Sequence, residues 1–248
     1  MKTILKASLP ILFLFILWQT IVVVFELPHY ILPKPQDVFM QLFTQYSLLW
    51  EHTQVTLLEI VLGIIIGCFF GLSSAFALLY FKKLENYLLP LLVISQAIPV
   101  FAIAPLLVLW FGYGMASKIV MTVIIIYFPI TTACYDGLKN TPKQWLQLAR
   151  TYKLTPLQTL FKVRFPASLP TLASGLKIAV CIAPIGAVIG EWVGSSQGLG
   201  YLMLHANARM QIDLMFASLF ILVVLTLSIY FLTDYLTKKL IPWASHLH

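Results

Sequence analysis

Apolar residues in this chain neither alternate nor recur at short helical intervals. They fill six long blocks, near residues 7–26, 54–81, 88–111, 118–138, 167–195 and 212–236. At 1.5 Å of rise per residue, a block of about 20 residues matches the roughly 30 Å of hydrocarbon in a bilayer. The pattern therefore predicts an all-α membrane protein of six transmembrane helices. Lys2 and Lys6 precede the first apolar run, Leu9 to Phe25. That run is too long for the apolar core of a signal peptide, and no small-x-small site follows, so a retained first helix is expected.

One long polar stretch interrupts the pattern, "KNTPKQWLQLARTYKLTPLQTLFKVRFP" at residues 139–166, with six Lys or Arg and no acid. It holds Thr-Pro-x-Gln twice, at Thr141 and Thr155. In each, the threonine can cap a helix, the proline suits the first turn and the glutamine (Gln144, Gln158) can close a capping box. Two short helices are predicted, 142–152 and 156–164, with a break at Lys153-Leu154. Trp145, Leu148, Ala149 and Tyr152 share an apolar face on the first, and Leu157, Leu160 and Phe161 on the second. Pro166 is expected to end the second helix. A loop that only satisfied a charge rule would need neither the caps nor the apolar faces, so a docking platform for a cytoplasmic protein is the preferred reading.

Basic residues set the orientation. With the N-terminus inside, the inner segments carry Lys2, Lys6, Lys82, Lys83, Lys139, Lys143, Arg150, Lys153, Lys162, Arg164, Lys238 and Lys239, against Lys34, Lys118 and Arg209 outside, twelve to three. Lys177, just inside the fifth block, is expected to snorkel inward. The segment from Glu26 to His52 then lies outside, with a short amphipathic helix after Pro33 and Pro35 resting on the membrane or on the protein.

Composition narrows the class. The chain is 60% hydrophobic and 10% charged, too few charges for a soluble surface of this size. The net charge of +7 does not point to nucleic acid, because the basic residues sit between apolar blocks. Cys68, Cys134 and Cys181 lie in apolar runs without metal-type spacing and read as buried small hydrophobes; no metal site is expected.

Small residues pattern the helices. Gly63, Gly67 and Gly71 recur every four residues in the second block, and Gly186, Gly190 and Gly194 in the fifth, a spacing that lets helix backbones approach closely in lipid. Pro99, Pro105, Pro129 and Pro184 sit inside spans, as kinks around a path or as plain packing. Ser95, Gln96 and Glu191 are the candidates for a translocation pathway. Gln96 could instead bond a neighbouring helix, and Glu191 could hold an interfacial structure. Glu59 is expected near headgroups or paired. His205, Asn207 and Arg209 fall in a short outer segment.

The run "QLARTYKLTPLQTLFKVRFPASLP" resembles the cytoplasmic EAA loop of bacterial ABC importer permeases. Its slots hold Gln147-Leu148-Ala149, then Lys153, Val163 and Phe165-Pro166, with Gln147 in place of the acid and Lys153 in place of the glycine. "GEWVGSSQGLGYLMLHANARMQIDLMFASLFIL" is similar to permeases for sulfonates, taurine, nitrate and thiamine pyrimidine precursors. Within it, Glu191-Trp192-Val193-Gly194 and Leu204 to Arg209 look closest to the thiamine-precursor branch, and "LPKPQDVF" fits the same group.

The resemblance implies a type I importer permease fold in the bacterial inner membrane, with both termini cytoplasmic. It implies division into 1–53, a permease domain 54–238 and a tail 239–248. It further implies two permease copies forming a pore, an ATPase pair beneath and a periplasmic binding protein delivering the solute. Gln147, Leu148, Ala149, Lys153, Leu157, Phe161, Val163, Phe165 and Pro166 become the ATPase-coupling residues. No Gly-x-x-x-x-Gly-Lys-Ser/Thr occurs, so no cofactor is expected in this chain and ATP is assigned to the partner. An embedded enzyme is disfavoured because His29, His52, His205, His246 and His248 all fall outside the blocks. An ion-coupled transporter is disfavoured because no clear internal repeat is visible.

Overall fold

The computed structural model describes residues 2–244. His246, His248 and the end of the expected tail lie outside the described residues, as do the side chains of Lys2, Lys6 and Lys82. The described chain is helical: α1 (Lys2–Val24), α2 (Pro35–Thr44), α3 (Tyr46–Tyr80), α4 (Lys82–Ala97), α5 (Val100–Phe111), α6 (Met115–Lys139), α7 (Lys143–Thr151), α8 (Pro156–Thr159), α9 (Phe165–Gly194), α10 (Leu199–Ala208) and α11 (Ile212–Leu240).

Four of these runs are long and apolar enough to cross a membrane: α3, α6, α8 continuing into α9, and α11. Among the described residues, four or five of the six expected spans are recovered by length: the third block is broken, and the described apolar part of α1 covers Leu12–Val24. Instead of one helix over 88–111, α4 and α5 meet at a bend of 100°. The cause is local. Pro99 drives Ile98 out of helical geometry, to φ −81° and ψ 120°, because the proline ring crowds the residue before it. Pro105, Pro129 and Pro184 stay inside their helices. The second block also starts earlier than expected, so His52 lies within α3 and not in an outer segment.

α6 is the central post, and both glycine stripes face it. A Cβ on Gly63 would stand 2.5 Å from Thr122 Cγ2, and one on Gly67 2.6 Å from Ile126 Cδ1. Gly71 meets Ile130 from the same side. On the opposite side, a Cβ on Gly186 would stand 2.6 Å from Thr122 Cα, and Gly190 abuts Lys118. Gly194 instead meets Val108 of α5. Only residues without side chains let α3 and α9 close on α6 from two sides at once. Beneath the stripes, Ile60, Ile126, Ile130, Ala179, Ala183 and Ala187 form one fully buried cluster. Outward-facing positions keep large apolar side chains such as Phe13, Ile65, Phe69, Val224 and Phe231 exposed, as a lipid-facing surface requires. Cys134 is buried, but Cys181 is exposed, on an outward face of α9 where the sequence suggested burial.

Two charges find partners that the sequence did not reveal. Lys118 is not a loop charge: it is 3% exposed, and its amine donates to Tyr113 O at 2.8 Å and Gly114 O at 3.1 Å. Lys177 pairs with Asp234 of α11, which also binds Lys238 at 2.7 Å.

Candidate functional site

The polar interruption folds as a helix, a tight turn and the foot of a long rod. α7 ends in a paired hydrogen-bond closure: Leu154 N–H reaches Ala149 O at 3.0 Å and Lys153 N–H reaches Arg150 O at 2.9 Å. This closure demands a left-handed residue, and Lys153 supplies it with φ 51°. The residue in the glycine slot thus makes the glycine's turn with a side chain attached.

Of the two expected capping boxes, one forms. Thr155 Oγ1 accepts from Gln158 N–H at 3.3 Å while Gln158 Oε1 accepts from Thr155 N–H at 3.0 Å. Thr141 does not cap α7. It is buried, and its hydroxyl donates back to Leu138 O at 3.0 Å, the carbonyl that also takes Arg164 Nη1 at 3.2 Å. The position before α7 falls to Pro142, without a side-chain cap.

The second helix is not a separate piece ended by Pro166. α8 passes through a π turn, Leu160–Arg164, directly into α9. In that turn Phe165 N–H reaches back five residues to Leu160 O, and the wider coil makes room for the Pro166 ring, which would strike the turn before it in a regular helix. The expected pair of short helices is therefore one short helix and one foot.

Among the expected coupling residues, Gln147, Leu148, Lys153, Leu157 and Phe161 are exposed, Val163, Phe165 and Pro166 half-buried, and Ala149 buried. Trp145, Leu148, Tyr152, Leu157 and Phe161 are at least 49% exposed, although all are large and apolar. Trp145, Leu148 and Tyr152 rim a groove of about 560 Å³ whose other walls are Val163, Pro166 and Trp243. Phe161 and Phe165 rest on Phe76 of α3, with ring centroids 6.0 and 5.6 Å away. An apolar surface with a basic rim, mounted on a fixed turn, can seat in a groove of another protein.

At the other end of α9 lies a buried polar knot. Glu191 is 1% exposed. Its Oε1 accepts from Thr56 Oγ1 at 2.6 Å, and its Oε2 accepts from the backbone N–H groups of Gly200 and Tyr201. Leu199 N–H donates to Thr56 Oγ1 at 2.8 Å, and Gly198 N–H to His52 Nδ1 at 2.9 Å. The first turn of α10, whose N–H groups have no partners within the helix, is thus satisfied by side chains of α3 and α9. Gly198 has φ 110°, and a Cβ there would overlap the Glu191 carboxyl. Glu59, also 1% exposed, lies beside Glu191, and Lys118 is near enough to attract both carboxyls.

The structure does not bring the three pathway candidates together. Ser95 and Gln96 stand in the last turn of α4, just before the 100° elbow. Ser95 Oγ donates to Leu92 O at 2.7 Å, and Gln96 is exposed. Glu191 belongs to the knot. His205, Asn207 and Arg209 are exposed at the end of α10. Sequence reasoning missed His52, Thr56 and Lys118 as members of the knot; His52 and Lys118 read as outer residues, and Thr56, a hydroxyl within an apolar block, was the trace the sequence offered.

A bent third span, a glycine-packed central helix and a basic loop running into the next span define a polytopic permease of the ABC importer type. The chain belongs to the family of binding-protein-dependent transport system inner membrane components, whose sequence profile matches residues 59–243. It is 64% identical over 237 residues to a Haemophilus influenzae protein named "Probable ABC transporter permease protein", covering 96% of this chain and 97% of that one. It is 36% identical over 240 residues to the formylaminopyrimidine transport permease protein ThiX of Halalkalibacterium halodurans, covering 96% of each. A chain of the inward-facing MetNI methionine ABC transporter matches with TM-score 0.62 at 22% identity, covering 80% of this chain and 97% of that one, a likeness of fold.

Proposed function

We propose that this permease imports an aminopyrimidine precursor of thiamine, handed over by a periplasmic binding protein and driven by a separate ATPase pair seated under residues 147–166. Two copies of the chain form the pore, with both termini in the cytoplasm. The observation that carries the coupling role is the loop itself: five large apolar side chains stay exposed on a short helix and the foot of α9, joined by a turn with a backbone closure and one capping box. Gln147 takes the place of an acid there, so the seat relies on apolar contact and the basic rim more than on an anionic one. The substrate reading is supported by the name of the 36% identical relative, which covers nearly the whole chain.

The coupling role is tested by Phe161→Asp. A charge on that exposed face should abolish co-purification of the ATPase while leaving membrane insertion intact; undiminished co-purification overturns the assignment. The substrate is tested on the cognate binding protein, which should take formyl- and aminopyrimidines in preference to taurine and alkanesulfonates. The reverse preference replaces the solute and leaves the coupling role untouched.

A further inference from the structure

We infer that Glu59 is protonated and donates a hydrogen bond to Glu191, so that the knot fastening α10 is a proton-held latch that loosens when the proton leaves. The inference is independent of the solute and of the orientation proposed above.

Helix geometry brings the two acids together. Thr56, Glu59 and Gly63 fall on one face of α3. Thr56 Oγ1 meets Glu191 at 2.6 Å, and a Cβ on Gly63 would stand 2.5 Å from Thr122. Glu59 lies between these two contacts. On α6, Lys118 is one turn from Thr122 and faces Gly190, the neighbour of Glu191, where a Cβ would stand 2.8 Å from Lys118 Cγ. Glu59 and Glu191 are each 1% exposed and Lys118 3%, and the two carboxyls are within hydrogen-bonding reach of each other.

Charge and hydrogen bonding assign the proton. With both carboxyls ionised, the cluster would set two negative charges against the one of Lys118, and an uncompensated buried charge is strongly unfavourable. One proton makes the cluster neutral. Glu191 is the ionised member, because its oxygens already accept from Thr56, Gly200 and Tyr201. Glu59 Oε2 is closed to solvent and has no donor among the described residues. Lys118 spends two of its three N–H donors on Tyr113 O and Gly114 O. Two carboxylate oxygens cannot bond without a proton between them, and a protonated carboxyl supplies one O–H donor. The remaining titratable neighbours are engaged. His52 Nδ1 accepts from Gly198 N–H, Tyr201 and His205 of α10 stack on each other and on His52, Asp213 of α11 pairs with His29, and α5 carries no titratable residue.

The test uses the full-length permease in lipid nanodiscs. At neutral pH its infrared spectrum should show the carbonyl stretch of a protonated carboxyl that exchanges slowly in D2O. Glu59→Gln keeps an N–H donor to Glu191, and should remove that band while holding the parent's Tm. Folding takes up this proton, since a carboxyl in the unfolded chain is ionised at neutral pH, so stability is lost as pH rises. From neutral to alkaline buffer, the parent should lose more Tm than Glu59→Gln. Absence of the band in the parent overturns the inference whatever the variant does. A band that survives Glu59→Gln, or equal alkaline losses in both proteins, overturns it too. So does a Tm that rises with Na+ in the parent alone, which would put a cation between the acids in place of the proton.

Discussion

Lys153 shows how one residue can fill a position that normally calls for another. Left-handed backbone costs a residue with a side chain about 1–2 kcal/mol, and here two backbone bonds at the end of α7 offset it. The slot was legible because the spacing from Gln147 to Pro166 fixed where the turn had to fall. Glu191 shows the opposite case. A carboxyl in an apolar block was visible as unusual, but Thr56 is 135 positions away, and pairing at that distance leaves no periodic mark. Its role gives a ranked prediction. Glu191→Ala strands the Gly200 and Tyr201 N–H groups in a buried site, at about 1–3 kcal/mol for each. Glu191→Gln keeps an acceptor oxygen and should cost less. Thermal unfolding of the purified permease should show Ala well below Gln and Gln near the parent; equal values for the two variants would remove the knot's structural role.

At the scale of elements, the glycine stripes were readable as close-packing faces, but not their common partner, because nothing in a spacing of four says which helix lies opposite. Facing atoms now separate the glycines. A methyl on Gly186 meets the backbone of α6 at Thr122 Cα, whereas one on Gly67 meets the free end of the Ile126 side chain. Overpacking costs about 1–3 kcal/mol and falls hardest where the neighbour cannot move. Gly186→Ala should therefore lower Tm more than Gly67→Ala, and the reverse order would show that α6 yields more readily than Ile126. Proline was the weaker guide. Of those inside the apolar blocks, only Pro99 broke its helix, while Pro129 and Pro184 were absorbed, and Pro166 was expected to stop a helix that passes through it. The sequence carried the missing donor but not the π turn that makes room for the ring.

For the whole molecule, hydropathy marked the apolar blocks and charge asymmetry predicts an orientation, but neither reveals that the third block bends by 100°. Orientation is checked by side-selective labelling. In a background with Cys68, Cys134 and Cys181 replaced, Lys153→Cys should react with an impermeant thiol reagent only from the cytoplasmic side and Arg209→Cys only from the outside. Labelling of both from one side would invert or dismantle the topology. The run from Pro156 to Gly194 is continuous over 39 residues, about 58 Å at 1.5 Å per residue. A seesaw of that length pivoting by about 5° at mid-depth would carry each end about 2.5 Å, in opposite directions. That is close to the span of one hydrogen bond, so when the inner end tips, α10 must either ride along with Glu191 or come unfastened from it.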